Sequence, residues 1–188
     1  MTLVRRIATG LAIAAGLFIA TSFALFATYD FSSFQSRRAE IRALGLQTPL
    51  PASLTELMRA ENRKNGYSHI TARILINKLA ISWHGDGLPG WQTTYVTWTL
   101  LAHLHLAEQE QYSIIAANCY MGHGRFGYAA EAQERFGKPI TSLNDTDLAT
   151  LVVLTRSPSR YEEEPELLQI SRDALLSKIR DSTSSQAR

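Results

Sequence analysis

Cysteine is all but missing from this chain: of 188 residues, only Cys119 carries a thiol. An internal disulfide, a CxxC redox pair and a cysteine-rich zinc centre are therefore excluded, and a lone thiol is expected to be buried and inert. Charge of one sign is equally scarce. The formal net charge is +2, and setting aside Arg5, Arg6 and Asp30 leaves 17 basic and 16 acidic residues from Phe31 onward. So neutral a body lacks the concentrated basic face that nucleic acid binding needs, and no nucleic acid partner is expected. No internal repeat occurs. With 45% hydrophobic and 19% charged residues, the composition is that of a folded chain.

What is present first is an uncharged run, Ile7 to Tyr29, 23 residues rich in Ala, Leu, Ile and Phe. At about 1.5 Å per residue a helix of that length crosses a hydrocarbon core roughly 30 Å thick. Arg5 and Arg6 precede it and Tyr29 lies at the far end, where interfacial aromatics gather. Ser22-Phe23-Ala24 offers the competing reading of a cleaved signal peptide. The run is longer than a signal core, which favours an uncleaved single-pass anchor. Arg37, Arg38 and Arg42 follow the run closely, so charge alone does not orient it. The expected organisation is an N-terminus and anchor over 1–30, a juxtamembrane connector over 31–50, a folded domain over 51–180 and a polar, frayed tail over 181–188.

The domain reads as mostly α. Ser53 and Glu56 fit a capping box opening a helix to Glu61, which Asn65-Gly66 stops. Ile70 to Ile81 repeats apolar residues at helical spacing. His84 to Gly90 is Gly/Pro-rich and reads as a loop; Thr93 to Thr99 has the propensity of a strand, but its apolar continuation to Glu110 favours a helix. Ser113 to Met121 is expected to be helical up to Gly122. Tyr128 to Phe136 is a short helix closed by Gly137, and Asp145 or Thr146 caps the next, up to Thr155. Glu162 to Glu166, four Glu around one Pro, reads as a solvated loop, with Pro165 opening a last helix to about Ile179.

One stretch says more than the rest: Tyr120, Gly122, Gly124, Gly127, Ala130, Phe136, Gly137 and Lys138, then Leu143 to Leu154, then Ser157-Pro158-Ser159-Arg160-Tyr161. In order and spacing it resembles the peptidoglycan glycosyltransferase domain, glycosyltransferase family 51, found in penicillin-binding proteins and monofunctional transglycosylases. Here the domain is divergent and shortened. Arg172, Leu175, Leu176 and Ile179 look like its closing helix. The resemblance implies a lysozyme-like, α-rich fold and a membrane-anchored domain acting on lipid-linked disaccharide or glycan strands in cell-wall synthesis. It also implies partners: the bacterial inner membrane, peptidoglycan glycan or its lipid-linked precursor, and cell-wall synthesis proteins. It orients the anchor N-in, with the domain facing the periplasm. Transpeptidase chemistry is excluded, because neither S-x-x-K nor K-T-G occurs.

The resemblance also assigns candidate residues. Glu61 is the only carboxylate that fits the first catalytic position, as base, with Asn62 in place of the family's Asp; Asn65 and Ser68 stand for its Phe and His. His69 serves only with a one-residue slip. Gln92, Thr93 and Thr94 stand where the family lines its donor site. His123 is a groove residue, and Arg125, Lys138 and Arg63-Lys64 are the cations available to a substrate. The second catalytic Glu falls at Ser113 and the family's Asn at Ala117, with Glu110 one turn away as a weak substitute. Between Thr97 and Ser113 there is no Lys or Arg where the family keeps a basic helix.

Glycosyl transfer from a lipid diphosphate needs a base for the acceptor hydroxyl and positive charge for the departing diphosphate. Losing one preorganised contact costs about 3–4 kcal/mol in the barrier, so weakened or lost catalysis is expected. Two alternatives stay open: a non-catalytic relative binding glycan or a partner in the envelope, and a lysozyme-like glycan-cleaving enzyme using Glu61. No cofactor is evident, although the resemblance allows a divalent metal at the diphosphate. His103 and His105, two apart, point about 200° from each other on a helix and cannot share a metal there, whereas on a strand they could. His84-Gly-Asp86, in a Gly-rich loop, is likewise a weak metal signal. Trp83, Trp91, Tyr95 and Trp98 form an aromatic neighbourhood suited to core packing, sugar faces or a lipid groove.

Overall fold

The computed structural model describes residues 2–46, 48–61, 66–81 and 88–186. Asn62, Arg63, Lys64, Asn65, Trp83, His84 and Asp86 lie outside the described residues. The chain forms two compact units, Met1–Glu40 and Ile41–Arg188.

The first unit is dominated by α1 (Thr2–Tyr29). Its 28 residues span roughly 42 Å at 1.5 Å per residue. Leu17, Phe18, Ile19, Phe23 and Leu25 are all exposed. A helix apolar all round with no protein cover is compatible with a single-pass membrane anchor. The residues expected as a connector continue the helical path instead. A π-helical turn (Asp30–Phe34) and a 3₁₀ turn (Gln35–Arg37) lead into α2 (Arg38–Ala43).

The second unit is built from α3 (Ala52–Glu61), α4 (Ser68–Lys78), α5 (Leu88–His105), α6 (Glu108–Asn118), β1 (Tyr120–Gly122), β2 (Arg125–Phe126), α7 (Tyr128–Phe136), α8 (Asp145–Leu154), α9 (Pro158–Glu163) and α10 (Pro165–Gln186). Its spine is α8. Every residue from Leu148 to Leu154 is buried, and the helix packs against α3 and α10. A helix apolar on all faces belongs inside a core. Its cap is Asn144, whose side chain accepts from the Asp147 N–H at 2.9 Å, rather than Asp145 or Thr146. Asn is at least as good a cap as either and comes first in the chain. Separately, α4 packs along α5, with Ala72, Leu75, Trp98, Leu101 and Ala102 buried.

Several boundaries differ from the sequence expectations, each for a local reason. Helix α3 starts at Ala52, before Ser53, so Ser53 lies inside the first turn. Helix α5 begins at Leu88 rather than beyond Gly90; Pro89 in the first turn has no N–H to lose, and the Thr94 hydroxyl donates to the Gly90 carbonyl at 2.9 Å. Helix α6 stops at Asn118 and the chain turns into an antiparallel hairpin. The two residues at its tip, His123 (φ 47°) and Gly124 (φ 74°), are left-handed, as tight primed hairpin turns require. Gly127 (φ 84°) lets the backbone pass so close to α6 that a Cβ there would lie 2.6 Å from the Ala117 carbonyl oxygen. The acidic run from Glu162 is not a loop: Pro158 opens α9, Glu164 breaks it and Pro165 opens α10. That last helix runs on through Gln186, past the expected end near Ile179.

Truncating the spine tests this packing. Leu151→Ala is expected to destabilise the domain by about 2–5 kcal/mol, whereas Ile170→Ala, at an exposed position, stays within about 0.5 kcal/mol. Chemical denaturation followed by circular dichroism reads both.

Candidate functional site

Helix α3 ends on Glu61 and aims its carboxylate inward. Only 7% of that side chain is exposed. Facing it is Arg156, just past the end of α8, where the Thr155 hydroxyl donates to the Val152 carbonyl and Pro158 starts a new helix. The Arg156 guanidinium Nε and Glu61 Oε1 form a close ion pair. Glu61 Oε2 is buried and meets no hydrogen-bond partner among the described residues. Burial pulls Arg156 down, but Glu61 and then Tyr161 hold it above its ordinary value.

Around this pair run two clefts of about 400 and 340 Å³ that share Ile70, Arg73, Thr155 and Arg156. The first adds Glu61, Tyr67 and His69. The second adds Asn77, Asn118, Tyr120, Phe126 and Pro158, among others. Together they make one groove. Its far rim is aromatic: the Tyr120 and Phe126 rings lie 5.5 Å apart, both well exposed, and the Lys78 ammonium sits 5.7 Å from the Phe126 ring centre. The Tyr67 hydroxyl is also buried without a hydrogen-bond partner among the described residues. Burial, and secondarily the charge on Glu61, push that phenol far above its ordinary value, so it remains a proton donor.

The groove brings together Glu61 and His69 and leaves the other candidates elsewhere. Glu110 Oε2 accepts from the Ala107 N–H at 2.9 Å, and Oε1 pairs with Arg42 at 3.1 Å, so its carboxylate caps α6. The Ser113 hydroxyl accepts from the Leu46 N–H at 2.7 Å, beside Gly45. The Ala117 carbonyl faces Gly127. Gln92 and Thr93 are exposed on α5 and Thr94 is buried; none of the three lines the groove. Lys138 is exposed after α7. Ser68 is buried, its hydroxyl donating to Gln111. Trp98 is buried, while Trp91 stacks on Tyr95 at 5.2 Å.

His123 and Arg125 form a clasp rather than a groove wall. His123 Nδ1 lies 2.7 Å from Glu162 Oε1, with the Arg125 guanidinium at 3.8 Å. A Cβ on Gly122 would collide with the Glu162 carboxylate, so the glycine is what admits it. Arg125 and Arg135 each hold one oxygen of the fully buried Glu131 at 2.8 Å. The hydrogen bond from Arg125 to Glu131 raises its pKa, against the smaller effect of burial.

A divalent cation does not fit this groove. Its carboxylate is already paired with Arg156, with Arg73 in the same wall, and no three His, Cys, Asp or Glu side chains gather among the described residues. Arg73, Arg156, Tyr67 and Glu162 are the residues that sequence reasoning missed. Arg156 directly precedes Ser157-Pro158, and Arg73 interrupts an apolar helix; both signals are weak without coordinates. Beside the groove, Glu108 bridges Arg59 at 2.9 Å and accepts a short bond from the Tyr112 hydroxyl. Those bonds, Arg59 first, lower the pKa of Glu108. The buried Cys119 thiol, at the groove floor, is pushed up to about 12 by desolvation.

Burial raises the phenols of Tyr67, Tyr112 and Tyr128 alike. The folded domain therefore holds protons there that the unfolded chain releases near pH 10, and stability falls as pH rises past that value. In an absorbance titration, three of the seven tyrosines are expected to stay silent through pH 10 and to ionise only as the domain unfolds.

No curated protein matches the sequence significantly. A family model described as Transglycosylase matches residues 52–180, the stretch from the start of α3 into α10 that carries both Glu61 and Arg156. The chain belongs to the transglycosylase family, whose domain is a lysozyme-like all-α fold.

Proposed function

We propose that this is a membrane-anchored peptidoglycan glycosyltransferase-like protein. Its groove receives lipid-linked disaccharide or glycan strand, and its catalysis is weakened or lost. Family membership supplies the substrate class, peptidoglycan glycan. One observation carries the weakened catalysis: among the described residues Glu61 is the sole carboxylate lining the groove, and it is paired with Arg156. Ser113, where a second catalytic Glu would fall, bonds the Leu46 backbone instead. A base held by a guanidinium takes a proton from an acceptor hydroxyl only once that cation has been drawn away, and no second carboxylate stands beside it among the described residues of the groove.

The groove does have positive charge, from Arg73 and Arg156, so the missing basic residues between Thr97 and Ser113 do not preclude binding. An exposed aromatic rim suits the apolar faces of sugar rings. The apolar α1 supports a single-pass anchor, and family resemblance orients it N-in at the inner membrane with the domain in the periplasm. The exposed stripe of Val96, Leu100 and Leu104 along α5 suits a lipid surface.

A polymerisation assay with fluorescent lipid-linked disaccharide tests the reading. Turnover is expected at or below about one hundredth of that of a fully equipped family member, the scale of one lost transition-state contact. Sedimentation with purified sacculi is expected to show binding. Fast polymerisation would overturn the reading, and its loss in Glu61→Gln would restore Glu61 as the base; release of muropeptides would favour cleavage instead.

A further inference from the structure

Glu61 and Arg156 make a poor match for so enclosed a pair. The closest contact runs between Nε and Oε1, and the guanidinium also bonds the Tyr161 side chain. The other carboxylate oxygen is buried and unpartnered among the described residues. Nearly half of the Arg156 side chain is exposed, and the residue lines both halves of the groove. A guanidinium is a fork best satisfied by two oxygens at once, as a phosphate presents them. The second guanidinium, Arg73, is exposed, lines both halves of the groove alongside Arg156, and shows no ion pair among the described residues.

We propose that Arg73 and Arg156 form a subsite for a phosphate-type anion, and that the Glu61 carboxylate occupies it as an internal stand-in. The idea rests on the groove being the ligand site. An anion with several oxygens, such as a diphosphate, spans the two guanidinium groups and withdraws Arg156 from Glu61. Freed, Glu61 turns both oxygens to donors on the same ligand, and sugar hydroxyls supply them. Anion and sugar are thus recognised together: the charged group opens the pair, and the hydroxyls satisfy the carboxylate it leaves behind. A neutral glycan without the anion meets Glu61 still paired. The subsite uses cations from α4 and from the turn after α8, not from the helix where family resemblance looks for them.

The test measures binding without turnover. Full-length protein in detergent micelles and metal-free buffer is titrated calorimetrically with inorganic pyrophosphate and, separately, with a short-chain prenyl diphosphate disaccharide. Glu61→Gln removes the internal competitor and is expected to tighten pyrophosphate binding roughly tenfold, about 1.4 kcal/mol. Arg73→Gln, at an exposed position, and Arg156→Lys, which keeps the charge and loses the fork, are each expected to weaken it roughly tenfold. For the sugar-linked ligand the gain in Glu61→Gln is expected to shrink, because hydroxyl contacts to the carboxylate go with it. Equal gains for both ligands would sink the joint recognition.

Pyrophosphate affinity that is unchanged or weaker in Glu61→Gln overturns the proposal. So does equal binding by wild type and Arg73→Gln, which marks an adventitious ion only. Sacculus binding measured on the same preparations keeps the two ideas apart. Loss of the pyrophosphate pattern with sacculus binding retained removes the anion subsite alone, whereas no binding to sacculi or to the disaccharide removes the groove as the ligand site.

Discussion

The arrangement of the groove depends on one contact between two helix ends, the Glu61 carboxylate and the Arg156 guanidinium. A carboxylate this enclosed is costly without a counter-charge. Its partner must therefore be delivered accurately, and the fold does so by burying α8 along its whole apolar length. Residues 148–154 are closed off on every side, so Arg156 leaves the core from a fixed point. Helix α3 packs on α8 and brings Glu61 to the same place. Packing sets the position of the pair, and the pair sets the charge of the groove.

That contact also accounts for how the domain departs from what its family suggests. A transglycosylase groove with two free carboxylates and a basic helix is organised for a base and a leaving group. Here Glu61, the carboxylate that the resemblance puts first, is paired with Arg156, Ser113 is tied to the Leu46 backbone and Glu110 caps its own helix. Positive charge enters from other elements. What faces the groove among the described residues is two guanidinium groups, one paired carboxylate and an aromatic rim.

The helical character, the glycine-spaced turn and the order of the closing helices were legible because each rests on local rules. Gly137 ends α7 in a left-handed conformation, and Pro165 opens α10, as spacing alone suggests. The groove residues were not legible in the same way. Arg73 and Arg156 are 83 positions apart in the chain and meet only through packing, which no window of sequence contains. Glu162 looked solvated because it begins an acidic run; its burial depends on a glycine forty residues earlier that leaves room for its carboxylate. Glu110 looked available because a helical turn separates it from Ser113. Whether such a residue faces a groove or its own helix end is decided by the residue before the helix, Ala107, which has no side-chain cap to offer.

Cys119 carries a consequence beyond the groove. It is the chain's sole sulfhydryl, 6% exposed against Met121, with its proton held to about pH 12. Alkylating agents and oxidants therefore find almost no nucleophile on the intact protein. Two copies cannot be joined through sulfur while the thiol stays buried, so a covalent dimer on a non-reducing gel would report an opened domain. The same quiet background makes the protein a clean host for one introduced surface cysteine, through which a fluorophore or cross-linker could be attached at a chosen point.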